Sequence, residues 1–469
     1  MLHNSGHSTA KPNTLHDVIV VGSGPAGVHA AYPLVEAGLR VAIIDGGLDS
    51  KKQDNQPINK KLHNKSNPYD LLIKSGYVFT KTYQLLKVQS NIEIIQSLAK
   101  GGLSEIWHGI CDYFTDSELA ETGLPALEIQ KEYKEIAKRI NLKTKPQLDL
   151  HGQLILKKAK NQVYRLPIAY PYRTKSVIED LKKYKNFTYI PKQLVLKVKD
   201  KNKHVEIESI SIESQEKSYI KSRYLILAAG AINTTRILLQ SFRLYNYQVP
   251  FLTKGHTMLV CLHPQTLLKR RQNNIASLGQ VSLTCNDLDQ DLNSFFVQFY
   301  RCNPLAQDLA LQYIPLPKPL ASLFFSIIAP YLVIVDVRFP TFKSNKSFCR
   351  LKKEKCDIGV LEVSSHTTDR EIKKHKEELK KIYRKIQSFG LLPMKTITSN
   401  VTSHYAGGVS FQSKQGKLST DSKGRLHQAK RIYIADSSTW KVLPAKPPTL
   451  TIMANAARVG KNVLKKFQP

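Results

Sequence analysis

The strongest pattern of apolar positions lies near the start of the chain. Residues 17–21 (DVIVV) form a short, nearly continuous apolar run ended by Gly22, which predicts a strand covered on both faces. A helical stretch follows over 25–37 with Gly38 placed to stop it, and 40–44 (RVAII) predicts a second buried strand. Together they have the size of one β-α-β unit, about thirty residues. From 53 to 91 the chain is polar and turn-rich and predicts no element. Short β-rich runs at 187–190, 194–198, 205–212 and 219–220 are then separated by charged turns such as Asp200-Lys201-Asn202-Lys203, the pattern of an antiparallel meander. It leads into a buried strand at 224–228 and a helix from 233 to 241. The middle, 245–396, mixes strand-like runs with joints at Pro304, Pro315, Pro317 and Pro319. One helix there is plain. Thr368-Asp369-Arg370-Glu371 has the spacing of a capping box, Ile372, Leu379, Ile382, Ile386 and Phe389 recur at helical intervals, and Gly390 ends the run. Its other face carries Lys373, Lys374, Lys380, Lys381 and Lys385, most simply a solvated surface.

Residues 320–337 (LASLFFSIIAPYLVIVDV) are strongly apolar over 18 positions and call for a membrane check. A spanning helix needs about 20 such residues, and Pro330 and Asp336 interrupt this one. The expectation is a short helix or loop, then a buried strand over 331–337. Peripheral attachment through an exposed apolar loop stays open.

The chain has 469 residues, and since one core stops growing at about 250–300, two domains are expected. Residues 1–16 are polar without an apolar run and read as a flexible tail, not a secretory signal. Lys and Arg total 70 against 37 Asp and Glu, a net charge of +33. The basic residues are scattered, so a Lys-rich solvated surface is the simplest reading, although such an excess also favours anionic lipid or acidic substrates. No RNP, zinc-finger or helix-turn-helix pattern accompanies it, so nucleic acid is excluded as a main partner. Six cysteines without a C-x-x-C pair suggest neither a disulfide framework nor a metal site. A reducing cytoplasmic location fits, with membrane association open.

The turn after the first strand changes the picture. Gly22-Ser23-Gly24-Pro25-Ala26-Gly27 follows a strand and opens a helix. Gly22 permits the tight turn, Gly24 lets the backbone approach a pyrophosphate, and Gly27 lets the helix pack closely on the sheet. Phosphates would sit at the helix N-terminus, where unpaired N–H groups and the dipole favour negative charge. Asp45 ends the second strand, 18 residues past Gly27, in place to accept from a ribose hydroxyl. The chain therefore binds a dinucleotide, and the Pro25-Ala26 pair is commoner in flavoproteins than in nicotinamide enzymes.

Further segments then resemble one family in the right order, the glucose–methanol–choline (GMC) oxidoreductases. Lys100-Gly101-Gly102-Leu103-Ser104-Glu105-Ile106-Trp107 resembles the G-G-x-S-x-x-W segment that lies against the flavin, in the form typical of sugar-oxidising and polysaccharide-cluster branches. Some members carry a covalently attached His between that Ser and Trp. Ile106 stands here, so the resemblance implies FAD held without a covalent bond. Arg173-Thr174-Lys175-Ser176 with Asn186-Phe187-Thr188 is similar to the R-x-S…N-L-T passage, which places Val195 at a backbone contact to adenine. The stretch 224–239 (YLILAAGAINTTRILL) is similar to the strand and helix beside the cofactor, implying contacts from Ala229, Gly230 and Asn233, as Gly46 does after Asp45. Ile432-Tyr433-Ile434-Ala435-Asp436-Ser437-Ser438 and Pro448-Thr449-Leu450-Thr451-Ile452 resemble the C-terminal signature. Asp436 and Ser437 would then lie near the ribityl–pyrophosphate part of FAD, and Pro448, Thr449 and Leu450 would open a helix over 451–464 aimed at the flavin pyrimidine ring, favouring negative charge there.

The resemblance implies an α/β fold: a Rossmann-like FAD-binding domain, with parallel sheet and antiparallel meander, and a discontinuous α+β substrate domain. Residues 17–245 and 400–469 would form the first and 246–399 the second. It also implies oxidation of an alcohol CH–OH group by hydride transfer to flavin N5, with a base taking the hydroxyl proton. His404-Tyr405-Ala406-Gly407-Gly408 resembles the segment whose His faces the flavin, so His404 is the expected acid/base. The family usually sets His or Asn immediately before the Pro of its last motif. Here that residue is Pro447, which has no side-chain donor, and Thr449 or His108 are the candidates for the second hydrogen bond. The partner implied is a small-molecule alcohol, a sugar hydroxyl or a lipid-linked molecule. The alternative is a flavin-binding protein that oxidises no alcohol and serves assembly or regulation.

Overall fold

The computed structural model describes residues 15–48, 82–267, 279–283, 295–302, 316–354, 358–399, 403–411 and 416–468. Most of the expected tail, Pro304, Pro315, Cys285 and Cys356 lie outside the described residues.

The opening unit forms as its pattern predicts: strand His16–Val21, helix Pro25–Glu36, strand Val41–Ile44. Its strands pair in parallel, Val18 opposite Val41 through Val21 opposite Ile44. Their apolar runs are continuous because both faces are covered. Val18, Val20, Val41 and Ile43 pack under helices Pro25–Glu36 and Thr449–Leu464, while Ile19, Val21, Ala42 and Ile44 face the meander side. The sheet continues with Phe187–Ile190 beside Val41–Ile44, with Lys217–Leu227 beside His16–Val21, and then with Ile432–Ile434. The fold is thus a Rossmann-like α/β sheet that ends bring together from both halves of the chain.

Two details of the meander differ from the sequence expectation. Phe187–Ile190 is not a meander strand, since it pairs in parallel with Val41–Ile44. The runs at 219–220 and 224–228 are one strand, Lys217–Leu227, whose first half pairs antiparallel with His204–Ser211 and whose second half joins the parallel sheet. Exposed and half-buried residues alternate over 217–221 and full burial follows over 225–227, so one strand carries two unlike hydrophobic patterns.

A second sheet has the order Leu392–Ser399, His256–Leu262, Leu332–Arg338, Phe296–Arg301, Gly279–Leu283 and Val163–Arg165. Residues 320–337 resolve as expected into helix Lys318–Ile328, a turn at Ala329–Tyr331 and strand Leu332–Arg338. Period-two alternation gives that strand two unlike faces. Val333, Val335 and Val337 pack under helix Asp369–Ser388, whose capping box of Thr368 and Glu371 is formed and whose stop, Gly390, has φ of +83°. On the other face Leu332 and Ile334 lie under helix Lys318–Ile328, and Asp336 and Arg338 continue that same face beyond the helix. Among the described residues no helix is long and apolar enough to cross a membrane.

Candidate active site

Three turns converge at the carboxyl ends of the parallel strands, where ligands bind in open α/β sheets. The first is Gly22–Gly27. A Cβ on Gly27 would sit 1.8 Å from the Gly22 carbonyl oxygen, so only glycine lets the helix start this close to the strand. The second is the Gly101–Gly102 turn, with φ of +95° and +59°. The third is Gly230, at φ +81° between strand Lys217–Leu227 and helix Ala231–Ser241. Side chains fasten the turns to one another. Ser23 Oγ donates to Asp45 and accepts from the Gly101 N–H at 2.9 Å, and Tyr189 O–H donates to Asp45 at 3.1 Å. Thr234 Oγ1 accepts from the Ala229 N–H at 3.2 Å and donates to Asp436, whose carboxylate also accepts from the Ser438 N–H at 3.0 Å. Burial pushes the Asp45 carboxyl up to about 6 against the hydrogen bonds from Ser23 and Tyr189. The same cause raises Asp436, again opposed by Ser438 and Thr234.

These turns surround a cavity of about 340 Å³. Whether its walls fit a dinucleotide can be read from them. A Cβ on Gly230 would meet nothing within 4 Å, and one on Gly24 only the Gly101 carbonyl at 3.9 Å, so both backbones face open space. Along the walls the amide of Gln96, Oδ1 of Asn233, and Nε and Nη1 of Arg236 are buried without a hydrogen-bond partner. Buried polar groups are seldom left unpaired, and a ligand carrying ring nitrogens, hydroxyls and phosphates would satisfy them. The residues fit the group.

The cavity runs on to the second sheet, to Gln298, Tyr300, Arg338 and His404. Their assembly follows from strand register. His256 lies opposite Arg338, and Met258 and Gln298 both lie opposite Asp336, so one face of three strands presents a polar cluster. Asp336, 1% exposed, accepts from His256 Nδ1 at 2.8 Å, Gln298 Nε2 at 2.8 Å, Arg338 Nε at 2.9 Å and the Tyr300 hydroxyl at 3.3 Å. Burial alone would raise its carboxyl, but Arg338 and His256 hold it well below the usual carboxylate range. Arg338 spends Nη1 on His404 Nδ1 at 3.0 Å. A guanidinium can only donate, so Nδ1 is the acceptor and the neutral His404 ring carries its proton on Nε2. Burial, then the cations Lys254 and Arg338, hold His404 well below the ordinary imidazole value. Lys254 is itself buried, with Nζ donating to the carbonyls of Pro444, Ala445 and Lys446 at 2.6, 2.9 and 2.8 Å. It thereby ties down the segment that leads into Pro447.

Of the residues singled out in the sequence, most line this cavity: Gly22, Gly24, Pro25, Ala26, Asp45, Gly46, Gly102, Ser104, Trp107, Val195, Ala229, Gly230, Asn233, Asp436, Ser437, Pro448, Thr449, His108 and His404. Gly27, Gly101 and Leu450 do not line it. Gly27 is pressed against Gly22, a Cβ on Gly101 would meet Glu105 Oε1 at 2.4 Å, and Leu450 is fully buried in the core beneath the last helix. That helix begins at Thr449, two residues earlier than the sequence suggested, with Pro448 as its N-cap residue. His108 is exposed, and Pro447 is part of the cavity wall. Sequence reasoning missed Gln298, Tyr300, Asp336, Arg338, Lys254 and His256. Asp336 and Arg338, two apart in a buried strand, were the one available signal, because charge in such a run needs a partner.

Two families match the chain. Residues 16–242 match the one described as pyridine nucleotide-disulphide oxidoreductase, and residues 362–456 match GMC oxidoreductase. No curated protein matches.

Proposed function

The chain is a FAD-binding oxidoreductase of the GMC family, and from that premise we propose that it oxidises an alcohol CH–OH group, with His404 acting on the hydroxyl. The observation that carries this reading is the single cavity joining the glycine-walled cradle to His404. When bound, FAD supplies a hydride acceptor at flavin N5. The chain's own residues do the rest. The N-terminus of helix Pro25–Glu36 would receive the pyrophosphate, Asp45 would accept from a ribose hydroxyl, and the Val195 backbone would meet adenine. Asp436 and Ser437 would hold the middle of the cofactor, and the N-terminus of helix Thr449–Leu464 would favour negative charge on the ring.

His404 takes the hydroxyl proton on Nε2. To do so the ring needs its lone pair there, which requires Arg338 to release Nδ1. Thr449 or His108 supplies the second hydrogen bond that Pro447 cannot make. The test is an anaerobic titration of the purified flavoprotein with sugars, sterols, simple alcohols and hydroxy acids, following loss of the oxidised-flavin absorption. One of them should bleach it, and His404→Ala should slow bleaching by about 10²–10⁴-fold. Flavin that stays oxidised with every alcohol would sink the reading. Pro447 would then favour the second reading, a flavin-binding protein serving assembly or regulation.

The substrate is a small alcohol, a sugar or a lipid-linked molecule. Peripheral contact with an anionic membrane goes with the latter. Leu320, Leu323, Phe324 and Ile327, at i, i+3, i+4 and i+7 of helix Lys318–Ile328, are 47–62% exposed.

A further inference from the structure

We propose that the alcohol oxidised here carries an anionic group, a carboxylate or similar oxyanion, which the Arg338 guanidinium receives beside His404. The inference rests on the alcohol-oxidation reading for the substrate's other half, but the anion site itself can be tested without turnover.

The argument starts from charge balance. Arg338 and Lys254 both stand close enough to His404 to hold down its protonation. Among the described residues Asp336 is the only acid within ion-pair distance of Arg338, and none is within that distance of Lys254, which bonds three neutral carbonyls. The Asp336 carboxylate is already divided among His256, Gln298, Tyr300 and Arg338. Arg338 therefore shares its one counter-ion with three other donors, while burial holds Lys254 well below the usual lysine range against the pull of Glu118 and Asp336; a buried guanidinium so thinly balanced is costly until a counter-charge arrives. The cavity gives that counter-charge a way in. Arg338 lies deep in the protein, yet 19% of its side-chain surface is open and it forms part of the cavity wall. The chain's net charge of +33 draws anions towards it.

Such a ligand also explains how His404 becomes a base. The guanidinium bonds His404 through Nη1, and that imidazole is a neutral acceptor. An oxyanion is the stronger acceptor for the same N–H groups. Once it has drawn Arg338 away, Nδ1 can carry the ring proton and Nε2 presents the lone pair. Nε2 would then take the hydroxyl proton, and a bound FAD would supply the acceptor for the carbinol hydride, leaving a carbonyl. A neutral alcohol leaves Arg338 on Nδ1 and the base unavailable.

The experiment compares acids with neutral counterparts on the FAD-loaded protein: acetate with acetamide, lactate with lactamide, glucuronate with glucose. Binding is read from perturbation of the oxidised-flavin spectrum at low salt. At least one acid should bind on the order of ten- to a hundredfold tighter than its counterpart. Arg338→Met should abolish that preference and Arg338→Lys keep part of it, with FAD content and thermal midpoint checked in each. Equal binding of acids and neutral partners by the wild type overturns the proposal, as does an acid preference that survives in a folded Arg338→Met. Perturbation by no acid at all overturns it too, and leaves the cations to serve the reduced flavin alone. An Arg338-dependent acid preference with no bleaching by any alcohol keeps the anion site and removes alcohol oxidation.

Discussion

His404 and Asp45 are displaced from their ordinary ionisation in opposite directions by the same cause, burial, and each displacement has a consequence for pH. His404 must be neutral to accept a proton. Its value is held well below the ordinary imidazole range by burial, Lys254 and Arg338, with His256 adding to them and Asp336 opposing. In the substrate-free protein the ring therefore stays neutral as the pH is lowered through about 6.5, where a free histidine would charge. The bleaching rate at low substrate concentration, which reports the free protein, should hold through that value and fall only at more acid pH; a rate that halves near 6.5 there would contradict this arrangement. Asp45 is pushed the other way, up to about 6. If it accepts from a ribose hydroxyl, the cofactor binds its ionised form. Affinity for FAD, measured by flavin fluorescence, should be constant above about pH 7 and weaken as pH falls through about 6. Asp45→Asn should weaken binding by about 1.5–3 kcal/mol, the worth of a hydrogen bond to a charged group, and remove the pH dependence.

At the scale of elements, what was legible in the sequence divides by how local its cause is. The β-α-β unit could be read because every requirement lies within thirty-odd residues of chain: buried strands, a turn that needs glycine, an acid at the next strand end. Gly27 shows how sharp such a requirement is. Its Cβ would stand 1.8 Å from the Gly22 carbonyl and 3.7 Å from Val20 Cγ1, so the helix would have to lift from the strand. Gly27→Ala should cost about 1–3 kcal/mol as overpacking, lower the thermal midpoint and release flavin. Native-like FAD content in that variant would show that the turn yields more easily than its geometry implies. The helix over 369–388 was legible for the same local reason, its cap and period being written side by side. The polar cluster was not. Asp336, Gln298 and His256 meet only through the register of three strands separated by loops, and a register follows from pairing between distant segments. His404 reached the site through a family resemblance; its Arg338 partner carries no motif of its own.

For the whole molecule, the net charge of +33 and the exposed stripe of helix Lys318–Ile328 bear on the same question. Leu320, Leu323, Phe324 and Ile327 face outward while Ala321 and Phe325 turn inward, Phe325 packing with Leu332 and Ile334 of the sheet below. On the neighbouring edge strand Leu392 and Met394 are exposed as well. Two copies of so basic a protein repel each other, whereas an anionic bilayer attracts it and gives the stripe an apolar place to insert. The face of the sheet that this helix covers leads from Ile334 to Asp336 and Arg338, so a molecule leaving the membrane surface there would be near the His404 end of the cavity. Co-sedimentation with vesicles containing phosphatidylserine should therefore be strong at low salt and weaken as salt rises. Leu323→Ser with Ile327→Ser should lower the bound fraction at fixed salt and leave the thermal midpoint unchanged, because neither side chain is buried. Binding that depends on salt but ignores the double substitution would reduce the contact to surface charge. Binding to neither anionic nor neutral vesicles would free the stripe for another partner, and a substrate would then have to reach the cavity from water.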